Sequence, residues 1–188
     1  MKYKTIVLLS SLLVVGLQFS VAQNYKGKMF PYLNGETFSG STVKIPFDTK
    51  GKSTLLGVCF SKDAEKDLKT WMNPVYNLFL EKKDENDPYS ASANYDVHFY
   101  FVPMLNKVNQ ILEKSSKEKI KKETDKEFWP HLVFFEGDTK PFRETFELKD
   151  LDIPYFFVLD KEGNVVRMAS GKYSESKMDS LEDAIEPE

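Results

Sequence analysis

Residues 55–60, Leu-Leu-Gly-Val-Cys-Phe, form an apolar run, and four residues beyond it a stripe begins: Ala64, Leu68, Trp71, Met72, Val75 and Phe79. A short continuous run suits a strand covered on both faces, and spacings of three and four suit an amphipathic helix packed along one side. The junction thus reads as a buried strand that needs cover on both faces, running into the start of a helix. Asp63 is the expected N-cap of the helix, and Pro74, which removes a backbone donor, is expected to kink it.

The rest of the chain reads as further elements of one domain. Residues 29–54 alternate short apolar pieces with turn residues, predicting edge strands with turns at Asn34-Gly35 and Lys50-Gly51. Polar residues 82–94 read as a loop, and Tyr95, Val97, Phe99 and Phe101 alternate as a second strand that Pro103 closes. Residues 104–128 are helical in composition and carry interleaved lysines and acids, the pattern of a solvated helix face. A third strand is expected over His131–Phe135 and a short helix over Phe142–Leu148. Ile153–Leu159 reads as a buried strand, Asp160–Asn164 as a hairpin turn, Val165–Met168 as its partner, and residues 174–186 as a closing helix with Met178, Leu181 and Ile185 inward.

The first 22 residues place Lys2 and Lys4 before a short apolar stretch, then Ser20-Val21-Ala22. That order of basic, apolar and small residues is a secretory signal peptide, and the apolar stretch falls short of the roughly 20 residues a membrane span requires. The expectation is an exported protein, periplasmic or extracellular, with a signal peptide over 1–22, one domain over 23–188, and no membrane span after cleavage. A domain of that size buries about 70% of its unfolded surface, enough for a core without staples. The single cysteine, Cys59, rules out an internal disulfide. A net charge of −3, made more negative by losing Lys2 and Lys4, argues against nucleic acid as a partner.

The segment Ile153-Pro154-Tyr155-Phe156-Phe157-Val158-Leu159-Asp160-Lys161-Glu162-Gly163-Asn164-Val165-Val166-Arg167 resembles the cis-proline strand and hairpin of the thioredoxin superfamily. The added front strands and the strand at 131–135 resemble the peroxiredoxin and secreted thiol-disulfide reductase branch. Phe142-Arg143-Glu144-Thr145-Phe146, followed by the Tyr155 strand, is similar to mitochondrial ATP-synthase assembly factors of the same fold. The fold class implied is α/β and thioredoxin-like: a central mixed sheet flanked by helices, with extra N-terminal strands and a helix/strand insertion. The resemblance also implies a cis peptide before Pro154, beside the start of the helix near residue 64; the alternative is a trans proline that starts a strand.

Redox-active members of that superfamily carry C-x-x-C at the start of this helix, where one thiolate attacks and the second resolves the mixed disulfide. This chain has Ser61-Lys62-Asp63-Ala64-Glu65-Lys66-Asp67-Leu68 there, and no cysteine after Cys59. Disulfide exchange by that route is closed to the monomer. Two readings follow. In the first, the protein is an exported binding or assembly module without thiol chemistry, and Lys62, Asp63, Ala64, Glu65, Lys66 and Asp67, facing Pro154, contact a peptide or protein partner. In the second it is a one-cysteine peroxidase or reductase using Cys59, which needs that thiol exposed and acidic; its place in an apolar strand predicts the reverse. A third role, docking on a larger assembly through the charged 104–128 segment, is also open. His98 and His131 stand apart from any metal-ligand spacing, Lys52-Ser53-Thr54 lacks the glycines of a phosphate loop, and no cofactor or metal is expected. Trp71, on the apolar stripe, is expected in the core.

Overall fold

The computed structural model describes residues 24–80, 95–104 and 118–185. The expected signal peptide, the 82–94 loop and residues 105–117 of the charged stretch lie outside them. A four-stranded mixed sheet stands at the centre, in the order β4 (Val97–Pro103), β3 (Ser53–Cys59), β6 (Tyr155–Leu159) and β7 (Val165–Ser170). β4 runs parallel to β3, with Leu55 beside Phe99, while β6 runs antiparallel, with Leu56 beside Phe157. All seven residues of β3 are buried, because both its edges are paired and both its faces covered. This is the placement its apolar run predicts.

One face of the sheet is covered by α1 (Lys62–Phe79) and α3 (Glu175–Glu182), which bury Leu55, Cys59, Leu68, Trp71, Phe101, Phe156 and Leu181 in one core. Leu56, Val58, Phe157 and Leu159 point the other way, into a second core with Phe30, Phe142 and Phe146, the last two from the helix α2 (Lys140–Thr145) and its end. Phe30 lies within 5.8 Å of the Phe142, Phe146 and Phe157 rings. Each such side chain removed from water contributes about 1.5–3 kcal/mol, so this aromatic cluster replaces the disulfides the chain does not have.

A second sheet has three strands, in the order β2 (Thr42–Ile45), β1 (Leu33–Thr37) and β5 (Val133–Phe134); two come from the front segment 29–54 and the third from the strand expected at 131–135. Asn34-Gly35, read from the sequence as a turn, lies instead inside β1. The glycine serves close approach: a Cβ there would meet Val133 Cγ1 at 2.4 Å and the Phe134 carbonyl oxygen at 2.8 Å. The chain turns later, at Gly40, whose φ is +96°. The strand expected over 131–135 shortens to two paired residues in β5, with single bridges from Leu132 to Phe101 and from Phe135 to Met104 joining it to β4.

One helix expectation also changes. The N-cap of α1 is Ser61 and not Asp63: Ser61 is extended, and its Oγ accepts the Ala64 N–H at 3.1 Å, leaving Asp63 inside the first turn. The helix continues across Pro74 to Phe79. Residues 118–123 are helical, and the closing helix has Ser174 at its N-cap position, without a side-chain capping bond, with Met178, Leu181 and Ile185 buried as the stripe requires. The hairpin turn at 160–164 is held by Asp160, whose Oδ1 accepts the N–H groups of Glu162 and Asn164.

Candidate functional site

The end of β3, the start of α1 and the start of β6 meet at one end of the central sheet. Val58 pairs with Tyr155, so the antiparallel register carries Cys59 opposite Pro154, while on its other edge Cys59 pairs with Pro103. The Cys59 carbonyl accepts the Met104 N–H at 2.8 Å. Its thiol is 1% exposed, in the core shared with Ala64, Leu68 and Phe156. Burial, and secondarily the Glu65 carboxylate, push the thiol up to about 12. A thiol so placed holds little thiolate near neutrality, and the thiolate is the form that attacks.

The predicted contact residues divide by helical position. Lys62, Asp63 and Lys66 are exposed, Glu65 and Asp67 are half-buried, and Ala64 is fully buried beneath them as part of the core. Ala64 therefore supports this surface and does not belong to it. The Asp63 carboxylate accepts a hydrogen bond from Lys66 Nζ at 2.6 Å, one turn apart. That bond holds the Asp63 carboxyl below, and the Lys66 ammonium above, their ordinary ranges. Glu65 pairs in turn with Lys69 at 3.0 Å, and Lys69 lies 3.8 Å from Glu123 across from α1. The face is thus a charge-balanced lattice of donors and acceptors, and the early acids also oppose the helix dipole.

Pro154 departs from expectation. The Ile153–Pro154 peptide is trans, and the one cis peptide among the described residues is Ile45–Pro46. Pro154 is buried and its carbonyl accepts the Gly171 N–H at 2.8 Å, so its acceptor is already used in continuing the β6–β7 ladder. The residue marks the edge of the face, with its carbonyl engaged by Gly171.

The histidines fill packing roles. His131 stacks on Phe99 at 3.9 Å with Nδ1 3.1 Å from the Phe99 carbonyl, and His98 lies beside Tyr100; burial lowers the pKa of both. Sequence reasoning missed an open cavity of about 470 Å³ lined by Glu118, Lys121, Lys122, Asp125, Lys126 and Trp129. Lys121 Nζ sits 4.4 Å from the Trp129 ring centroid. The only sequence signal for it is a tryptophan placed just after a lysine-rich stretch.

A sequence profile of the ATP10 protein family matches residues 19–186. The chain belongs to that family. No curated protein matches it. Among solved structures, this ATP10-family protein is similar to the exposed lipoprotein thioredoxin Etrx1 of Streptococcus pneumoniae, with a TM-score of 0.53 and 17% identity over 81% of this chain and 99% of that one. It is similar to a putative thiol:disulfide interchange protein DsbE from Chlorobium tepidum, with a TM-score of 0.53 and 17% identity over 85% and 96%. Yeast Sco1 gives 0.50 and 16% over 84% and 92%. At these identities the likeness fixes the fold, which is thioredoxin-like, and nothing of the activity.

Proposed function

We propose that this ATP10-family protein is an exported thioredoxin-fold assembly module that holds a peptide or protein partner at the start of α1 and exchanges no disulfides. The observation that carries the reading is a replacement of chemistry by charge. The fold's redox members begin this helix with two thiols; here its first turn presents Asp63 and Lys66 as an exposed hydrogen-bonded ion pair, and the one cysteine is buried at the end of β3. Family membership and the similarity to ATP-synthase assembly factors support a protein as the partner; the N-terminal residues support export.

Exposed ion pairs contribute little to folding. They exchange readily with a partner's groups, so a surface of this kind suits reversible recognition. The contacting residues are Lys62, Asp63, Glu65, Lys66 and Asp67, with Ala64 and Pro154 holding the backbone behind them. The test is photo-crosslinking from position 66 in cells expressing the full chain, with position 149 as control. A discrete adduct that persists in Cys59→Ser and is lost in Asp63→Lys supports the reading. No adduct beyond the control, or an adduct that requires Cys59, overturns it.

A further inference from the structure

At the other end of β3, away from α1, three large apolar side chains stand out from the surface. Met29 is 53%, Tyr32 52% and Phe47 61% exposed. They form one patch: the Tyr32 and Phe47 rings meet edge-on at 5.6 Å, Phe47 follows Pro46, and Pro46 and Met29 close over the same turn, where a Cβ on Gly163 would lie 2.4 Å from Pro46 Cβ and 3.5 Å from Met29 Sδ. The supporting backbone is fixed. The Phe30 N–H donates to the Gly163 carbonyl, the Val165 N–H to the Lys28 carbonyl, and the Gly51 N–H to the Lys161 carbonyl.

The charge around the patch runs against that of the chain. Segments 26–32, 44–52 and 160–164 carry Lys26, Lys44, Lys50, Lys52 and Lys161 against Asp48, Asp160 and Glu162, with Lys28 Nζ donating to the Thr145 carbonyl, within a protein of net charge −3. Lys52 is paired with Asp96, and Lys50 Nζ lies 5.6 Å from the Phe47 ring centroid. Apolar tips more than half exposed do not line a groove into which a helix could settle. Protruding aromatic rings among lysines are instead what an anionic bilayer interface receives, with the rings at headgroup depth and the ammonium groups on the phosphates.

We propose that this face docks peripherally on an anionic lipid bilayer. The contact lies at the opposite end of β3 from the partner face and does not depend on it. Residues 23–188 contain every described element and both cores, so they serve as the test protein without the apolar N-terminal stretch. Flotation with phosphatidylcholine vesicles, with and without phosphatidylglycerol, should show binding to the anionic vesicles alone, weakening as salt rises. Tyr32→Ser with Phe47→Ser, and separately Lys44→Glu with Lys50→Glu, should each lower binding about tenfold. Circular dichroism should match the parent, since the substituted side chains are not part of either core. Absence of flotation with anionic vesicles, or flotation unchanged by Tyr32→Ser with Phe47→Ser, overturns the proposal. A dimer in sedimentation that depends on Phe47, without vesicle binding, assigns the patch to a second copy and also overturns it.

Discussion

Trp71 donates its indole N–H to the Gly171 carbonyl at 2.9 Å across 100 residues of chain, while its ring stacks on Phe156 at 4.0 Å. One fully buried side chain thereby ties α1 to the turn between β7 and α3. Trp71→Phe keeps most of the stacking and orphans the carbonyl, so it should cost about 1–3 kcal/mol. Trp71→Ala should cost about 3–5 kcal/mol through the added cavity. Urea denaturation followed by far-UV circular dichroism measures both.

The buried thiol makes a pH prediction with a definite sign. The Cys59 value is raised from 9.0 to about 12, so the folded state keeps a proton that the unfolded state releases. Its contribution is complete below pH 9 and is lost as pH rises through that interval toward about 12, at up to about 1.4 kcal/mol per pH unit. Tyr95, Tyr100 and Tyr155, also raised, steepen the fall above pH 10. Stability against pH for the parent and for Cys59→Ala should therefore diverge in slope between pH 9 and 12, and coincide in slope near neutrality. In the native state at pH 7 the thiol should resist an aromatic disulfide reagent, and it should react at once in denaturant.

Gly35→Ala tests the close approach of β1 and β5. The added methyl would collide with a side-chain carbon and a backbone oxygen, so a loss of about 1–3 kcal/mol is expected. Adding Val133→Ala removes the Cγ1 contact and leaves the Phe134 carbonyl contact. In a double-mutant cycle the pair should thus show partial relief.

The start of α1 separates folding from recognition. Ser61→Ala removes the cap and should cost about 1 kcal/mol. Asp63→Asn and Lys66→Gln touch only an exposed pair and should leave the melting temperature unchanged, while Asp63→Asn should reduce crosslinking from position 66. A melting shift in these variants as large as that of Ser61→Ala would mean that the pair is structural.

The central elements were legible because each carries a period that only one environment satisfies. The Leu55–Phe60 run, the Ala64–Phe79 stripe and the Asp160–Asn164 turn are such cases, and all three lie where expected. The errors arose where tertiary contact overrides a local signal. Asn34-Gly35 has the composition of a hairpin turn, yet Gly35 is small because β5 crosses it. Asp63 and Ser61 are both capping residues, and only the backbone geometry selects Ser61. Ala64 looked like part of a surface run because its neighbours are charged, although its place on the apolar stripe already assigned it inward. Pro154 followed the family pattern in sequence but not in peptide geometry. The Tyr32–Phe47 patch left only two Pro-aromatic pairs, Pro31-Tyr32 and Pro46-Phe47, far apart in the chain, and nothing local says that they meet.

The seal over Cys59 has a practical corollary. With Cys59 only 1% exposed, an adduct at its sulfur is expected to form when the α1 and β3 junction opens. A modification found there would then mark such an opening. In a population of ageing molecules, the fraction labelled at this one atom therefore records how often that junction has come apart.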